Sequence, residues 1–96
     1  MITSKQRSAL KALANKIEPI FQLGKGGITD NFVKQVDDAL EARELIKLSV
    51  LKSSPMKARE ALDTLAPMVG AEPICAMGSR MILYRRSKTS KEHIEF

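Results

Sequence analysis

Aromatic residues and cysteine are scarce in this sequence. It contains no tryptophan, one tyrosine, three phenylalanines and one cysteine, Cys75, which excludes an internal disulfide bond. No apolar run approaches the roughly 18 residues of a membrane-spanning helix, and the charged N-terminus lacks the apolar core of a signal peptide. A chain of 96 residues can build one hydrophobic core. We therefore expect a single small domain in the cytoplasm.

Side chains that carry out catalysis or bind metal ions are also scarce. His93 is the only histidine and lies near the C-terminus. No group of histidine, cysteine and carboxylate residues has the spacing of metal ligands, and no nucleophile has a recognisable base partner. The sequence therefore predicts neither an enzyme nor a protein that binds a metal, a cofactor or a small-molecule substrate.

Positive charge is the most informative property that the sequence does have. Its 16 lysines and arginines against 11 acidic residues give a net charge of +5, which makes nucleic acid the first candidate partner. An anionic membrane is not expected, because no helix pairs a broad apolar face with a lysine-rich one. Three acidic residues, Asp37, Glu41 and Glu44, fall at helical spacing. We interpret them as a solvent-facing surface that RNA avoids.

Capping residues and apolar periodicity indicate two helices in the first half of the chain. Thr3 and Gln6 fit a capping box, and Pro19 should end the helix that they begin. Thr29 is the expected N-cap of a second helix that runs to about Glu44. Apolar residues recur at helical spacing in both segments: Leu10, Leu13 and Ile17 in the first, and Phe32, Val36 and Leu40 in the second.

A third predicted helix contains two prolines with different consequences. Ser54 is the expected N-cap, and Pro55 suits the first helical position. Pro67 removes a backbone hydrogen bond, so we expect a kink or an early end there. Gly70 then suits the C-terminal position.

Four segments have the composition of strands: "PIFQL", Leu45 to Leu51, and the pair "EPICAM" and "RMILYR", which Gly-Ser joins as a tight hairpin. Pro73 can stand only at the start of its strand or on a sheet edge. The element order α-β-α-β-α-β-β predicts an α/β domain with a mixed four-stranded sheet packed with helices. This domain should cover residues 1–87, and residues 88–96 should form a loose polar tail.

The segment Gly24-Lys25-Gly26-Gly27 could bind a phosphate group or simply turn the chain. It lies just before the expected helix start, where unpaired N–H groups and the helix dipole favour anions. Glycine allows close approach of the backbone, and Lys25 adds a full charge. Asp30 would compete with an anion, so the segment by itself leaves both roles open. The nucleotide-binding patterns G-x-x-x-x-G-K-[ST] and G-x-G-x-x-G do not match it.

Four stretches are specific in combination: "TSKQRSALKALA", "EPIFQLGKGGIT", "VDDALEARELIKLSVL" and "GSRMILYR". Together they resemble the CRM domain family, in particular its stand-alone bacterial YhbY-type RNA-binding proteins, over nearly all of residues 3–86. The resemblance implies a fold like the C-terminal domain of a bacterial translation initiation factor. It also implies a GxxG loop at residues 24–27 that holds RNA backbone as in KH domains, and association with precursors of the large ribosomal subunit. Pro67 and Pro73 depart from the family pattern.

We therefore predict an RNA-binding protein that assists assembly of the large ribosomal subunit. The predicted RNA contacts are Gly24, Lys25, Gly26, Gly27, Thr29, Lys5, Arg7, Lys11, Arg85 and Arg86. Phe21, Phe32 and Tyr84 are expected in the core, which argues against an RNA-recognition motif with exposed aromatics. The alternative is a protein-interaction module that reaches the ribosome through a partner, docking by the acidic helix or the tail. DNA binding is a third option, without a helix-turn-helix pattern to support it.

Overall fold

The structure, a computed structural model, describes residues 2–96 and confirms the predicted order of helices and strands. The elements are α1 (Ser4–Ala14), β1 (Phe21–Leu23), α2 (Asp30–Arg43), β2 (Leu45–Val50), α3 (Ala58–Met68), β3 (Glu72–Met77) and β4 (Arg80–Tyr84). Within the described residues, no helix has both the length and the apolar character needed to cross a membrane.

The sheet is mixed and has the strand order β1-β2-β4-β3. β1 runs parallel to β2, and the other two pairings are antiparallel. Successive side chains of β2 point to opposite faces of the sheet, and helices cover both faces. Helices α2 and α3 pack on one face and α1 packs on the other, which gives three layers.

Two hydrophobic clusters correspond to the two faces. The larger one joins α2 and α3 to the sheet through residues such as Val36, Leu48 and Leu65. The smaller one places Leu10 and Ala14 of α1 against four sheet residues: Leu45, Ile74, Ile82 and Tyr84. Tyr84 and Phe32 are buried and Phe21 packs against the larger cluster, as predicted.

The first two helices begin where the capping residues predict. Thr3 and Gln6 exchange both hydrogen bonds of the capping box, at 2.9 and 3.1 Å. Helix α1 ends at Ala14, well before Pro19, because Lys16 and Ile17 donate to carbonyls only three residues back and the chain then extends toward β1. Helix α2 has the predicted N-cap and ends at Arg43, one residue before the predicted end.

The predicted start of α3 is wrong. The Ser54 hydroxyl accepts from the N–H of Met56 and donates to the carbonyl of the same residue, so it closes a local turn and does not cap a helix. Pro55 therefore lies in a loop, and α3 begins at Ala58 after Lys57, which provides no side-chain cap.

The end of α3 agrees with the prediction made from Pro67. The helix stops at Met68, and Gly70 follows with a φ of 63°. The N–H of Ala71 donates to the carbonyl of Ala66 at 2.9 Å, which is the long hydrogen bond of a Schellman motif. The missing N–H of proline and the positive φ of glycine together end the helix here.

The hairpin of β3 and β4 turns at Gly78 and Ser79, as predicted. Gly78 has a φ of 56°, a conformation that glycine adopts without strain. Pro73 is the second residue of β3, which forms one edge of the sheet, and a bulge separates Pro73 from Cys75. The edge strand agrees with the prediction for Pro73, and a bulge is another place where a sheet tolerates proline.

Candidate nucleic-acid interface

Residues 24–27 form a tight turn at the carboxyl end of β1, and we call it the glycine turn. The N–H of Gly27 donates to the carbonyl of Gly24 at 3.0 Å, so Lys25 and Gly26 occupy the two central positions. Both central residues are exposed. The turn therefore presents a charged side chain and bare backbone to solvent at its tip.

Only one residue of the glycine turn requires glycine for its conformation. Gly27 has a φ of 69°, and a Cβ on it would lie 3.2 Å from Cγ of Pro55. A Cβ on Gly26 would lie 3.9 Å from the nearest atom, a methyl group of Thr29. Gly26 can thus accept a side chain without disturbing the fold, whereas Gly27 cannot.

Helix α2 begins directly after the glycine turn. The Thr29 side-chain oxygen accepts from the N–H of Phe32 at 3.1 Å, which confirms the predicted cap. Thr29 is exposed, and its hydroxyl hydrogen can still donate to a ligand. Asp30 lies in the first turn, where its carboxylate also interacts favourably with the helix dipole.

Two other loops lie beside the glycine turn. The loop between β2 and α3 is joined to it because the N–H of Leu51 donates to the carbonyl of Leu23 at 2.9 Å. The hairpin turn between β3 and β4 is joined to the end of β2, because the N–H of Val50 donates to the carbonyl of Ser79 at 2.7 Å. We call these three loops together the turn end of the sheet.

The turn end contains basic residues that the sequence analysis missed. Lys52 and Lys57 lie in the loop between β2 and α3 and are exposed, and Arg80 lies beside Ser79, to which it donates at 3.1 Å. The strand topology could have indicated them, because loops that follow neighbouring parallel strands meet at the same edge of the sheet. β1 and β2 are such a pair.

The predicted basic residues of α1 lie on the opposite layer from α2. Lys5, Arg7 and Lys11 are exposed, and none forms an ion pair with a carboxylate in residues 2–96. Their helix packs over Leu45 and Tyr84 and so covers the half of the sheet that is farther from the glycine turn. The structure therefore forms two separate basic surfaces where the sequence analysis expected one.

Arg85 does not join either basic surface. Its side chain is 15% exposed, pairs with Asp37 and Glu41, and donates to the backbone carbonyl of Val69 at 2.7 Å. Asp37 lies about 10 Å along the axis of α2 from its first residue, away from the glycine turn. Arg85 thus links α2 to the end of α3, which argues against the predicted RNA contact.

Arg86 is exposed and follows Arg85 beyond the end of β4. Burial raises the pKa of Tyr84, the charge of Glu44 raises it further, and the charge of Arg86 opposes the rise. Arg86 is therefore close to Tyr84, which packs against α1. The contact of Arg86 with RNA stays a prediction.

The interpretation of Glu44 as solvent-facing surface is wrong. Its side chain is 4% exposed and accepts from the N–H groups of Ser87 and Ile94, at 2.7 and 2.8 Å, and it contacts Nδ1 of His93. Burial raises the pKa of Glu44, but the hydrogen bonds from His93, Ser87 and Ile94 outweigh it, and the net shift is downward. Periodicity on α2 gave no sign of these partners, because they lie more than 40 residues away in sequence.

Glu41 is likewise bound to the C-terminal segment. One of its oxygens accepts from the hydroxyl and N–H of Thr89, from the Ser87 hydroxyl and from the N–H of Lys88, at 2.6 to 2.9 Å. Hydrogen bonds from the Thr89 and Ser87 hydroxyls are the main reason that its pKa falls from 4.5 to about 2. Of the three acidic residues, only Asp37 keeps about half of its side chain exposed.

The expectation of a loose C-terminal tail is therefore corrected. In addition to its hydrogen bonds with Glu41 and Glu44, the C-terminal segment places Ile94 against the smaller hydrophobic cluster. The ring of Phe96 packs edge-on against Tyr84 with centroids 5.0 Å apart. We call this region, with Glu41, Glu44 and Arg85, the tail end of the sheet.

Among residues 2–96, no group of three or more histidine, cysteine and carboxylate side chains could hold a metal ion. A pocket of about 500 Å³ lies at the tail end between the C-terminal part of α1 and the start of β2, and its lining is mainly apolar. It is remote from the glycine turn, and nothing in the structure shows what would occupy it.

Comparison with known proteins gives a consistent result. Residues 2–85 match the family of the CRS1 / YhbY (CRM) domain. The chain is 40% identical over 92 residues to the "Probable RNA-binding protein YqeI" of Bacillus subtilis, with 96% of each chain covered. It is 28% identical over 90 residues to an "RNA-binding protein" of Haemophilus influenzae, with 94% of this chain and 91% of that one covered. A solution structure of a Staphylococcus aureus protein, described as "a putative RNA binding protein", shares 46% identity and a TM-score of 0.80 over 98% of both chains.

Proposed function

Because this chain belongs to the CRS1 / YhbY (CRM) domain family, we propose that it binds RNA through the glycine turn and the start of α2. The observation that carries the proposal is the exposed tip of the turn, where Lys25 and the backbone of Gly26 are free to meet a phosphate. The names of the relatives support RNA as the partner. We further propose ribosomal RNA in precursors of the large subunit, in the cytoplasm, as the target.

The proposed contact is made to the sugar-phosphate backbone. A phosphate at the tip would meet backbone N–H donors, the ammonium group of Lys25 and the hydroxyl of Thr29. Glycine at position 26 would let the RNA backbone come close, since no side chain covers the peptide groups there. The contact would therefore depend on shape and charge more than on base sequence.

A second set of contacts would extend the footprint along α1. Lys5, Arg7 and Lys11 are exposed on that layer, and Arg86 is exposed just after β4. All four would neutralise further phosphates. Arg85 is not part of the proposed interface, because its guanidinium group is bound to α2. Residues 1–87 would then constitute the RNA-binding domain, with residues 88–96 as a segment that packs against it. The protein would hold or remodel RNA without catalysing a reaction.

The test is a double variant at the tip, Lys25→Ala with Gly26→Asp, compared with the wild type for binding to fragments of large-subunit ribosomal RNA. We expect affinity to fall roughly ten- to a hundredfold, which corresponds to one or two charge-assisted contacts. The control is Lys88→Ala with Lys91→Ala, which makes the same change in net charge at exposed positions outside both the turn end and α1. Circular dichroism must first show that both variants are folded.

Gradient sedimentation of cell lysate then tests the ribosomal target. The wild type and the control should travel with particles of the large subunit, and the tip variant should remain near the top. If the tip variant binds RNA as the control does, the glycine turn serves only to reverse the chain. If RNA binding is lost at the tip but the wild type never sediments with large-subunit particles, the target is a different RNA.

The alternative of a protein-docking module receives less support from the geometry. Its predicted docking surfaces were the acidic helix and the tail, and these two bind each other through Glu41 and Glu44. Salt titration separates the two functions. Affinity for RNA should fall by about 0.7 to 0.9 log units per neutralised phosphate for each log unit of salt, whereas docking through apolar surface should change little.

A further inference from the structure

We propose that a pocket beside the glycine turn holds the adjoining nucleotide of the same RNA strand, with its base on the apolar floor and its phosphate between Lys52 and Lys57. This inference rests on the proposed function and deepens it. It specifies single-stranded RNA as the ligand, because a base inside a duplex cannot leave the stack to enter a pocket without disrupting its pair.

The pocket is formed by the loop between β2 and α3 together with the hairpin turn. Its volume is about 330 Å³, at the lower end of the range of roughly 300–1,000 Å³ for ligand pockets. The two lysines and Ser79 line it, and so does an apolar group: Val50, Leu51, Pro55, Met56 and Ala58. An apolar floor with a cationic rim matches a nucleotide, which has a flat base and an anionic phosphate.

The pocket and the glycine turn share a wall. Pro55 lies in the pocket lining and also approaches Gly27, whose Cβ position is 3.2 Å from Cγ of the proline. Leu51 lines the pocket, donates its N–H to the carbonyl that precedes the turn, and lies 3.6 Å from the Cβ position of Gly24. A strand bound at the tip of the turn therefore reaches the pocket without crossing another element.

The charges around the pocket favour an anion. No aspartate or glutamate is among its lining residues, and in residues 2–96 neither lysine forms an ion pair. Arg80 donates to the Ser79 hydroxyl and so brings a third positive charge to the rim. Three unpaired cations would repel one another at the rim, and a bound phosphate would relieve that repulsion.

The charge part of the proposal is tested with Lys52→Ala combined with Lys57→Ala, using a single-stranded ribosomal RNA oligonucleotide. The control is Lys88→Ala with Lys91→Ala, two exposed lysines of the C-terminal segment, so the change in net charge is the same. We expect the pocket variant to lose affinity at least about tenfold and to lower the log–log salt slope by roughly 0.7 for each phosphate contact removed. The control should change both quantities much less.

The base part is tested with the wild-type protein and a series of oligonucleotides that each lack one base. If the pocket receives a base, removing the base at one position should weaken binding several-fold, and a duplex of the same sequence should bind more weakly than the single strand. The RNA affinity of the pocket variant should also be compared with that of the tip variant, Lys25→Ala with Gly26→Asp.

The outcomes separate this inference from the proposed function. If the tip variant loses RNA and the pocket variant behaves like its control, the pocket is not a subsite and the glycine turn acts alone. Equal affinity for every base-deleted oligonucleotide would overturn the base contact and leave only a phosphate contact. If the wild type binds an acidic peptide more tightly than RNA and neither variant affects RNA, the proposed function fails as well.

Discussion

At the tail end of the sheet, Glu41 and Glu44 accept hydrogen bonds from the C-terminal segment, and Arg85 joins α2 to α3. At the turn end, roughly 16 Å away along β2, the lysines at positions 25, 52 and 57 are exposed and have no ion-pair partner in the described chain. At one end the charged side chains are bound to partners within the chain. The other contains charges of one sign that are available to a ligand.

This difference suggests a division between stability and binding. Charged hydrogen bonds that are partly buried contribute to the free energy of unfolding, whereas exposed cations of like sign contribute little or oppose folding slightly. Substitutions of the bound residues at the tail end, Glu44 and Arg85, should therefore destabilise the protein and leave RNA affinity intact. Substitutions of the exposed lysines at the turn end should do the reverse.

Glu44→Ala should give the largest loss of stability, about 3 kcal/mol, because it leaves the buried N–H of Ser87 and the partly buried N–H of Ile94 without an acceptor. Glu44→Gln keeps an oxygen acceptor and should cost less. Urea unfolding measures both values, and RNA affinity of the folded fraction should be unchanged. Equal stability of Glu44→Ala and the wild type would show that the segment adds nothing to the fold.

Arg85→Ala should lower the free energy of unfolding by about 2 kcal/mol, since it removes charged hydrogen bonds to Asp37 and to the Val69 carbonyl. Arg86→Ala is the matched control, because Arg86 is exposed and should hardly affect stability. RNA binding should respond in the opposite way, with a slightly lower salt slope for Arg86→Ala only. A lower salt slope for Arg85→Ala would show that Arg85 does contact RNA.

Gly27→Ala should destabilise the protein by about 1 kcal/mol or more, because alanine is strained at positive φ and its Cβ would press on Pro55. Gly26→Ala should leave stability unchanged, because its Cβ would make only an ordinary contact, 3.9 Å from a methyl group of Thr29. Thermal unfolding of the two variants gives the comparison. Identical unfolding temperatures would show that the glycine turn can change its backbone conformation freely.

The smallest effect should be a local response to acid at Glu41. Its folded-state pKa of about 2 lies below the ordinary value of 4.5, so its contribution is fully present above pH 4.5 and is lost as the pH falls toward 2. The amide resonance of Thr89, which donates to this carboxylate, should titrate with a midpoint near 2 in an NMR experiment. A midpoint near 4.5, or a titration that persists in Glu41→Gln, would contradict the contact.

Local sequence signals predicted most of the fold because they describe local interactions. The capping box at Thr3, the cap at Thr29 and the alternation in β2 each depend on residues a few positions apart. The start of α3 was misplaced for the same reason, since Ser54 uses its hydroxyl in a turn that competes with a cap. A serine that closes a local turn and a serine that caps a helix have the same sequence signature.

The parts that could not be predicted depend on contacts distant in sequence. Glu44 looks like any surface glutamate until the C-terminal segment is placed against it. Lys52 and Lys57 look like isolated loop lysines until β1 and β2 are paired in parallel, which brings their loop to the glycine turn. The composition of the turn indicated a candidate site, and only the topology indicated its neighbours.

The edges of the sheet have a consequence for the protein at high concentration. An open edge strand exposes a row of backbone donors and acceptors on which another chain can assemble. One edge here, β1, is only three residues long, and the other, β3, is interrupted by the missing N–H of Pro73 and the bulge that follows it. Neither edge offers the long regular row that strand addition and fibril growth require, so we expect this protein to resist edge-to-edge aggregation while it is folded.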